Sequence, residues 1–441
     1  MEQNSHSFVW VDLSDLLVWR GHFTGIQRVT YEYAKRFEQD GARFCAFDKI
    51  DNRFFELELG FLERVNIEGS TGDSQPSVIS TRRKIRRAIG KPYYILSEES
   101  KTLLRPVVTM TNFYVRYGLS KFDQRDKSKK SPFHARPEVV FNENDTLVMM
   151  GASWNDQAIL DFVVQLKLET GFTLVQHIND ILPIYQPQLF SEELPGKFKP
   201  YVNKVIHYAD LITVISEATK RDLQTYCKEN NITDIRIEAV RLGEDVEIDK
   251  PLRPEAVRAD EQFILAVGTF EVRKNYILLY QAVKLAQLEG HEIPKIIIAG
   301  RKGWLTDDLA HTLRLDPFAR ERILWLSDVS DSELSWLYEN CMFSVFPSLA
   351  EGWGLPIVES LNYGKMALAS GTSSMLEIGD GLVDYFLPYD ARECLEKIRY
   401  YVSEDRATKK NEQVKRTYKV FTWDQSYNQL SMVISGTGSP L

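Results

Sequence analysis

Short apolar segments alternate with amphipathic stretches along the chain, and this alternation restricts the fold more than any other feature. In the N-terminal half, apolar runs of strand length lie at residues 8–13, 43–47, 146–150, 172–176 and 211–215. Stretches with the three- and four-residue spacing of an amphipathic helix accompany them. The pattern predicts parallel sheets covered by helices, which is the α/β fold class.

The same alternation starts again after a joint rich in proline and charge at residues 249–254. The strands predicted in this second series lie at residues 263–268, 295–299, 323–326, 343–346 and 366–369. Two Ser-x-x-Glu quartets, at residues 330–333 and 374–377, have the spacing of capping boxes and predict helix starts.

A chain of 441 residues is long enough for two hydrophobic cores. We predict an N-terminal domain at residues 1–250 with a basic insertion at about 65–137, a C-terminal domain at 251–425 and a tail at 426–441. Two doubly wound domains that face each other leave a cleft at the carboxyl ends of both sheets, where ligands bind in such folds.

The net charge of −8 conceals a strongly basic segment. Residues 81–136 hold 15 Lys or Arg against 4 Asp or Glu, whereas the rest of the chain holds 39 against 58. Within the segment, Ile85, Ala88 and Ile89 fall on one helical face among cations, which suits a helix lying on an anionic membrane surface. A docking site for an anionic acceptor and a solvated insertion or oligomer contact are the alternatives.

Cysteine spacing and hydropathy do not indicate a metal, redox or membrane-spanning protein. The four cysteines lie far apart, without the spacing of metal ligands or of a redox pair. No apolar stretch approaches the ~18 residues of a membrane span, and the first ten residues lack a basic leader. We therefore expect a cytoplasmic protein, attached peripherally to the inner face of the membrane, with no nucleic acid among its partners.

The segment Glu351-Gly-Trp-Gly-Leu-Pro-Ile-Val-Glu359 joins a predicted strand to a predicted helix. Gly352 and Gly354 let the backbone approach a ligand closely, and the helix start offers unpaired amides to a phosphate. Glu351 and Glu359 would flank that position and accept hydrogen bonds from a sugar or ribose. The alternative is a capping Glu351 and a solvated Glu359. A dinucleotide-binding fingerprint is disfavoured because Ile357 stands where its third glycine belongs.

A second motif, Gly268-Thr-Phe-Glu-Val-Arg273-Lys274-Asn275, ends a strand and starts a helix. Adjacent cations at this end of a strand would meet a diphosphate, Arg273 through a planar fork and Lys274 as a compact charge. An ordinary exposed basic pair is the alternative. The sequence contains no Asp-x-Asp triplet for a divalent metal, so we expect these cations to act without a metal.

These motifs, in their order, resemble the retaining family 4 glycosyltransferases of GT-B fold. The C-terminal pieces are VGT at residues 267–269, RKN at 273–275, AGRKGW at 299–304, LSDVSD at 326–331 and PSLAEGWGLPIVES at 347–360. The N-terminal pieces are VDLS at residues 11–14, TGIQR at 24–28, NDILPI at 179–184 and TVISE at 213–217. The resemblance implies two facing Rossmann-like domains and transfer of a sugar from a nucleoside diphosphate sugar with retention.

The resemblance also implies roles for individual residues. Glu351 would orient the donor sugar, and Glu359 would hold the ribose. Arg273 and Lys274 would bind the diphosphate and stabilise it as it leaves, while Gly25 would close over it. The remaining donor-binding positions are Gly268, Val329, Ser330, Gly352, Trp353, Gly354 and Leu355, of which Val329 and Ser330 would line the base pocket.

The sequence departs from the family next to Asp180. Many members carry His immediately before this aspartate, near the donor sugar, but here that position is Asn179. His177 lies two residues earlier, on the same face of a strand as Asn179. Either His177 or Asn179 could act near the donor sugar, and a hydrogen-bonded strand histidine is the alternative for His177. His177 and Asp180 are the candidate catalytic residues.

The expected donor is a nucleoside diphosphate sugar, and no cofactor is expected. GDP-mannose is the first choice because residues 179–184 and 303–304 look most like bacterial mannosyltransferases of surface polysaccharide; deoxysugar donors such as dTDP-rhamnose are alternatives. The acceptor would be a glycan or a polyprenyl-diphosphate-linked glycan. A non-catalytic sugar-nucleotide-binding partner of a polysaccharide assembly complex and a nicotinamide dehydrogenase are the other function classes.

Overall fold

The computed structural model describes residues 7–19, 25–58, 60–62, 131, 133–245, 250–379 and 381–436. The chain divides into two compact units. The first comprises Met1–Val18, Phe23–Ala46 and Val140–Leu441, and the second comprises Trp19–His22 and Phe47–Val139. Apart from residues 131 and 133–136, the basic segment with its predicted membrane-surface helix lies outside the described residues.

The N-terminal half supplies the first set of strands and helices. Its strands are β1 (Val9–Asp12), β2 (Arg43–Asp48), β3 (Arg53–Glu56), β4 (Thr146–Met149), β5 (Thr173–Ile178), β6 (Leu211–Val214) and β7 (Arg236–Ala239). Its helices are α1 (Ser14–Val18), α2 (Gly25–Gln39), α3 (Gln157–Thr170), α4 (Leu182–Tyr185), α5 (Glu193–Tyr208) and α6 (Glu217–Glu229). In the first unit these strands pair in parallel in the order β2-β1-β4-β5-β6-β7.

The C-terminal half repeats this plan. Its strands are β8 (Phe263–Val267), β9 (Lys295–Ala299), β10 (Ile323–Leu326), β11 (Ser344–Phe346), β12 (Ala367–Ser370) and β13 (Val383–Phe386). Its helices are α7 (Tyr276–Glu289), α8 (Asp307–Leu315), α9 (Pro317–Arg322), α10 (Asp331–Asn340), α11 (Leu355–Asn362), α12 (Ala391–Val402), α13 (Arg406–Thr417) and α14 (Trp423–Ile434). The strands pair in parallel in the order β10-β9-β8-β11-β12-β13.

Both sheets are doubly wound, which confirms the predicted fold class. In each sheet the chain starts at the centre, moves to one edge and then returns to the other side of the first strand. The order therefore reverses between β1 and β4 in the first sheet and between β8 and β11 in the second. Ligands of such sheets bind outside the carboxyl ends of the strands at this switch point.

The strands form where the sequence is apolar on both faces. All residues of β8 are buried, as are those of β6 and β12, because helices cover both sides of a parallel sheet. The capping box predicted at residues 330–333 is confirmed. Ser330 caps α10 by accepting from the Glu333 amide, and the Glu333 carboxylate accepts from the Ser330 amide at 2.9 Å.

Helix α14 packs against the N-terminal half of the first unit, although it ends the C-terminal half in sequence. The Tyr33 hydroxyl of α2 lies 2.7 Å from the Ser426 hydroxyl, and the Tyr427 hydroxyl donates to Asp40 at 2.7 Å. The Trp423 amide donates to Asp245 at 2.6 Å. The segment separated as a tail from residue 426 onward therefore begins inside a packed helix.

The second unit contains β3 and the segment around residue 138. An antiparallel bridge joins Phe55 to Glu138, and the ring of Phe55 stacks on that of Phe133 with centroids 4.5 Å apart. Arg53 donates to the carbonyl of Phe133 at 3.0 Å. Across the described ranges of both units, no helix has the length and apolar character needed to cross a bilayer.

Candidate active site

The two predicted motifs follow β8 and β11, the strands on either side of the switch point in the C-terminal sheet. After β8, a 3-10 turn at Val272–Lys274 carries Arg273 and Lys274. Gly268 has a φ of +143°, and a Cβ atom there would lie 3.0 Å from Cε of Lys274. This φ favours glycine, and the missing side chain leaves room for the lysine stem.

Asn275 ties this turn to two neighbouring loops. Its φ of +56° is left-handed, a conformation that Asn tolerates better than most residues. Its side-chain amide donates to the carbonyls of Pro347 at 2.9 Å and Pro388 at 2.8 Å. The basic pair therefore lies on a turn whose backbone is anchored on both sides.

The carboxylate of Glu351 forms ion pairs with both Arg273 and Lys274. Nη1 of Arg273 lies 2.5 Å from Oε2 of Glu351, and Nζ of Lys274 lies 2.6 Å from Oε1. The hydroxyl of Ser348 donates to Oε1 at 2.7 Å, and Nη1 of Arg273 also donates to the carbonyl of Ala350 at 2.9 Å. The structure thus brings three of the predicted site residues into direct contact.

The charges of this cluster determine its protonation. Burial disfavours ionisation of Glu351, but the charges of Arg273 and Lys274 outweigh burial and lower the pKa of the carboxyl to about 2. Burial works in the same way against the Arg273 cation, and the carboxylates around it raise its pKa above the usual value. Glu351 is therefore ionised at neutral pH and fixes the position of both cations.

Two further carboxyl groups surround Arg273. Oε1 of Glu271, which is buried, lies 2.7 Å from Nη2 of Arg273. Asp180, directly after β5 in the N-terminal half, is close enough to feel the charge of the same guanidinium. Burial raises the pKa of both carboxyls, and Arg273 opposes that rise. Glu271 lies within the motif at residues 268–275, but its spacing gives no signal for a role.

The loop before α11 meets the N-terminal half at Asp180. A Cβ atom at Gly352 would lie 2.9 Å from Oδ2 of Asp180 and 3.2 Å from the carbonyl oxygen of Asn179. Helix α11 begins at Leu355 after Gly354, and within the described chain no side chain caps it. Pro356 has no amide N–H, and the Ile357 amide donates to the carbonyl of Gly354 at 2.9 Å. Within the described residues, the Leu355 amide is therefore the one that this first turn leaves for an anion, and anion binding there stays a prediction.

Two serines after β12 form hydrogen bonds with the backbone of this loop. The hydroxyl of Ser373 accepts from the amide of Glu351 at 2.9 Å. The hydroxyl of Ser374 lies within hydrogen-bond reach of two carbonyls, that of Glu351 at 2.8 Å and that of Trp353 at 2.7 Å. The backbone that positions the Glu351 carboxylate is therefore braced by tertiary contacts.

The capping box predicted at residues 374–377 is wrong. A 3-10 turn at Ser373–Glu377 occupies this segment, and Thr372 precedes it in the cap position. The Ser374 hydroxyl is engaged by the loop carbonyls. The Glu377 carboxylate instead accepts from the amides of Glu217 at 2.9 Å and Ala218 at 2.6 Å, and so caps α6 of the N-terminal half.

Trp353, a predicted donor contact, is buried beside the connection between the halves. The guanidinium of Arg241 lies 5.8 Å from the centroid of its ring. The indole N–H is buried and has no hydrogen-bond partner within the described ranges. Its ring thus packs against the connection, while its backbone forms part of the loop before α11.

Glu359 lies one turn into α11 and has a partner from each half. Nη1 of Arg28, on α2, lies 3.1 Å from its Oε1. The hydroxyl of Tyr338, on α10, donates to its Oε2 at 3.0 Å. Arg28 lies in the TGIQR motif at residues 24–28, but the sequence does not predict it as a site residue, because spacing cannot show that α2 reaches α11.

His177 is buried within the first sheet. Its Nδ1 lies 3.0 Å from the Thr213 hydroxyl on β6, and its ring meets that of Tyr33 edge-on at 5.9 Å. Burial lowers its pKa to about 4, so the imidazole is neutral at pH 7. The structure shows the hydrogen-bonded strand histidine that the sequence left open, and a catalytic role for His177 stays a prediction.

The remaining predicted positions are Gly25 at the start of α2 and Val329 and Ser330 after β10. Gly25 is the exposed first residue of α2, and no atom of the described residues lies within 4 Å of a Cβ placed there. Val329 is half-buried and Ser330 is exposed, both on the loop after β10. Within the described ranges, no three His, Cys, Asp or Glu side chains are grouped as metal ligands.

Comparison with known proteins matches the C-terminal half to a family. Residues 248–437 match the model for glycosyl transferases group 1. The serotype-specific mannosyltransferase WbdA of Escherichia coli is 26% identical over 242 residues, which span 52% of this chain and 29% of the relative. The O-antigen chain mannosyltransferase B of Escherichia coli is 38% identical over 124 residues, 27% of this chain and 32% of the relative. The matches thus span about a third of the length of these two relatives.

The fold is shared by solved structures over almost the entire chain. The structure of Anabaena Alr3699/HepE in complex with UDP superposes with a TM-score of 0.57 at 16% identity, covering 98% of this chain and 100% of that one. At this identity the likeness concerns the fold alone. It confirms the GT-B fold that the resemblance implied.

Proposed function

We propose that this chain, whose residues 248–437 form a group 1 glycosyl transferase domain within a GT-B fold, transfers a sugar from a nucleoside diphosphate sugar to a glycan. The observation that carries the proposal is the contact of Arg273 and Lys274 with Glu351 at the switch point of the C-terminal sheet. Two oriented cations and a fixed carboxylate beside an open helix start are the groups that a sugar diphosphate requires.

In this proposal Arg273 and Lys274 bind the diphosphate, together with the amide of Leu355 at the start of α11. Nη1 and Nη2 of Arg273 already contact Glu351, Glu271 and the carbonyl of Ala350. Since guanidinium has five N–H donors and ammonium three, each cation retains donors for phosphate oxygens. Glu351 accepts from the hydroxyls of the donor sugar and thereby sets its orientation.

Transfer is proposed to proceed with retention. The acceptor oxygen bonds to the anomeric carbon on the face from which the diphosphate departs, while the bond from that carbon to the diphosphate oxygen breaks. The acceptor proton passes to the departing diphosphate. The protein then contributes positioning and stabilisation of the negative charge that grows on the diphosphate.

We propose mannose as the sugar, GDP-mannose as the donor and a glycan or polyprenyl-diphosphate-linked glycan of a bacterial surface polysaccharide as the acceptor. The support is that the relatives matched are, by their names, mannosyltransferases, two of them for O-antigen chains. Each of these matches covers part of this chain, from 27% to 52%.

The test is a donor panel of GDP-mannose, UDP-glucose, dTDP-rhamnose and NADH, measured first by binding and then by product analysis with glycan acceptors. We expect GDP-mannose to bind and to yield a product whose anomeric configuration, read by NMR, equals that of the donor. Inversion would contradict the mechanism, and transfer from another donor would replace mannose. Binding without transfer to any acceptor tested would favour a non-catalytic sugar-nucleotide-binding partner.

We also propose that the protein acts in the cytoplasm and attaches peripherally to an anionic membrane surface through the basic residues 81–136. The support is the local excess of 15 basic over 4 acidic residues, since such segments are attracted to anionic lipids. Flotation with vesicles of anionic and neutral lipid tests the proposal. Binding that is confined to anionic vesicles and weakens with salt is expected, and absence of any binding would refute it.

A further inference from the structure

Arg28 contacts the C-terminal half at a residue predicted to hold the nucleotide. It lies on α2, one turn after Gly25, and its Nη1 is 3.1 Å from Oε1 of Glu359 on α11. The side chains are 28% and 14% exposed. The two residues are 331 positions apart in sequence, so the contact exists only while the N-terminal and C-terminal halves of the first unit approach each other.

The other oxygen of Glu359 has a partner from its own half. The Tyr338 hydroxyl donates to Oε2 at 3.0 Å, and the side chain of Tyr338 is buried. A carboxylate offers about four lone-pair positions. With Tyr338 on one oxygen and Arg28 on the other, positions remain on both oxygens for the two hydroxyls of a ribose. The two partners therefore orient Glu359 without saturating it.

We propose that Arg28 is a positioning residue for donor binding, supplied by the half of the chain that does not contain the nucleotide motifs. It fixes the Glu359 carboxylate in the orientation that accepts the ribose hydroxyls, so that the nucleotide is fully held only when the two halves approach. This inference rests on the proposed function. By linkage, a nucleotide that binds Glu359 in this state also favours the approach of the halves.

An ordinary surface ion pair is the competing explanation. Exposed pairs contribute little because solvent screens them and long side chains lose freedom. The Arg28 pair differs in that both side chains are mostly buried and its carboxylate is already held by a buried tyrosine. Arg36 on the same helix provides the comparison, since it pairs with Glu32 at 2.9 Å and with Asp424 at 2.7 Å, away from α11.

The test uses the full chain with the substitutions Arg28→Ala, Arg28→Lys, Tyr338→Phe and, as a matched control, Arg36→Ala. Calorimetric titration measures the affinity for GDP and UDP, each beside the dideoxy counterpart that lacks the ribose hydroxyls. We expect Arg28→Ala to weaken binding of the hydroxylated nucleotide roughly tenfold, the effect of one charge-assisted hydrogen bond. The dideoxy nucleotide should bind Arg28→Ala and wild type equally, and Arg36→Ala should bind like wild type.

The outcomes separate the two proposals. A loss of equal size for the hydroxylated and dideoxy nucleotides would mean that Arg28 contacts phosphate or base directly, which overturns the positioning role. Binding by Arg28→Ala that equals wild type also overturns it, while the proposed function stands. If the wild-type chain binds no nucleoside diphosphate, the proposed function fails and this inference fails with it. Thermal unfolding of each variant identifies a loss of fold.

Discussion

Replacing Glu351 by Gln separates a role in sugar orientation from a role in holding the fold. The substitution keeps the size of the side chain but removes the charge that pairs with Arg273 and Lys274 at 2.5 and 2.6 Å. The hydroxyl of Ser348 still has an oxygen acceptor in Gln. Both cations are then partly unpaired in the ligand-free protein and are free to contact a diphosphate.

The expected magnitudes differ for stability and for turnover. The pKa of Glu351 is about 2 against an ordinary 4.5, and each pKa unit corresponds to about 1.4 kcal/mol. Its ionised form therefore contributes about 3 kcal/mol to the free energy of unfolding. Loss of one preorganised group that acts on the reacting sugar costs roughly 10²–10³ in kcat. Affinity for GDP alone should be unchanged or tighter, because the anion competing for the two cations is gone.

The pH dependence of stability has a defined sign. A carboxyl whose folded pKa is lowered stabilises the fold above its unfolded pKa and loses this effect as pH falls through the folded value. The difference in unfolding free energy between wild type and Glu351→Gln should therefore be full at pH 7 and decline between about pH 4.5 and 2. Burial raises the pKa of Asp180 and Glu271, and the charge of Glu351 adds to that rise. Those carboxyls therefore act on stability in the opposite direction, and less strongly in Glu351→Gln than in wild type.

The assays are urea unfolding across pH, initial rates at saturating donor, and calorimetry with GDP. Asp384→Asn is the matched control, because Asp384 pairs with Lys397 at 3.0 Å in the same half of the chain but on an edge strand. The control should retain turnover. Transfer by Glu351→Gln within threefold of wild type would refute the role in sugar orientation. A parallel loss of GDP affinity and turnover would show that Glu351 acts through the fold of the phosphate site.

Two further predictions concern metal and protonation. Transfer should persist in EDTA, because Arg273 and Lys274 supply the positive charge beside the diphosphate; complete loss that Mg²⁺ restores would contradict this. His177 has a folded pKa of about 4 against an ordinary 6.5, so wild type should lose about 3 kcal/mol of unfolding free energy as pH falls from 6.5 to 4. In urea unfolding, the free energy of unfolding of His177→Gln should change less between pH 6.5 and 4 than that of wild type. The pH profile of transfer near neutrality should stay unchanged, and a changed profile would indicate a catalytic histidine.

Much of the fold could be predicted because local and tertiary preferences agree. The strand at residues 263–268 is apolar throughout, and β8 is buried on both faces. The capping box of Ser330 and Glu333 depends only on residues within one helical turn, and it forms as predicted. At Ser374 the same local pattern does not form a capping box, because the Ser374 hydroxyl instead donates to the loop carbonyls of Glu351 and Trp353.

The candidate site was predictable where it follows directly from strand ends. Arg273, Lys274 and Glu351 follow β8 and β11, and adjacent parallel strands bring their carboxyl ends to one edge. Contacts between the two halves could not be inferred from spacing. Arg28 on Glu359 and Glu377 on α6 depend on how the two sheets approach each other, and no local pattern encodes that approach.

The path of α14 makes the N-terminal half of the first unit depend on two separate stretches of chain. Trp423, Tyr427 and Leu430 are buried, and the helix packs on α2. A fragment that begins near residue 250 would present this apolar face to solvent, and the complementary fragment would lack its covering helix. A hybrid protein that exchanges the C-terminal half between relatives therefore needs two junctions, one after Asp245 and one before Trp423. With both junctions, α14 stays with the N-terminal half that it covers.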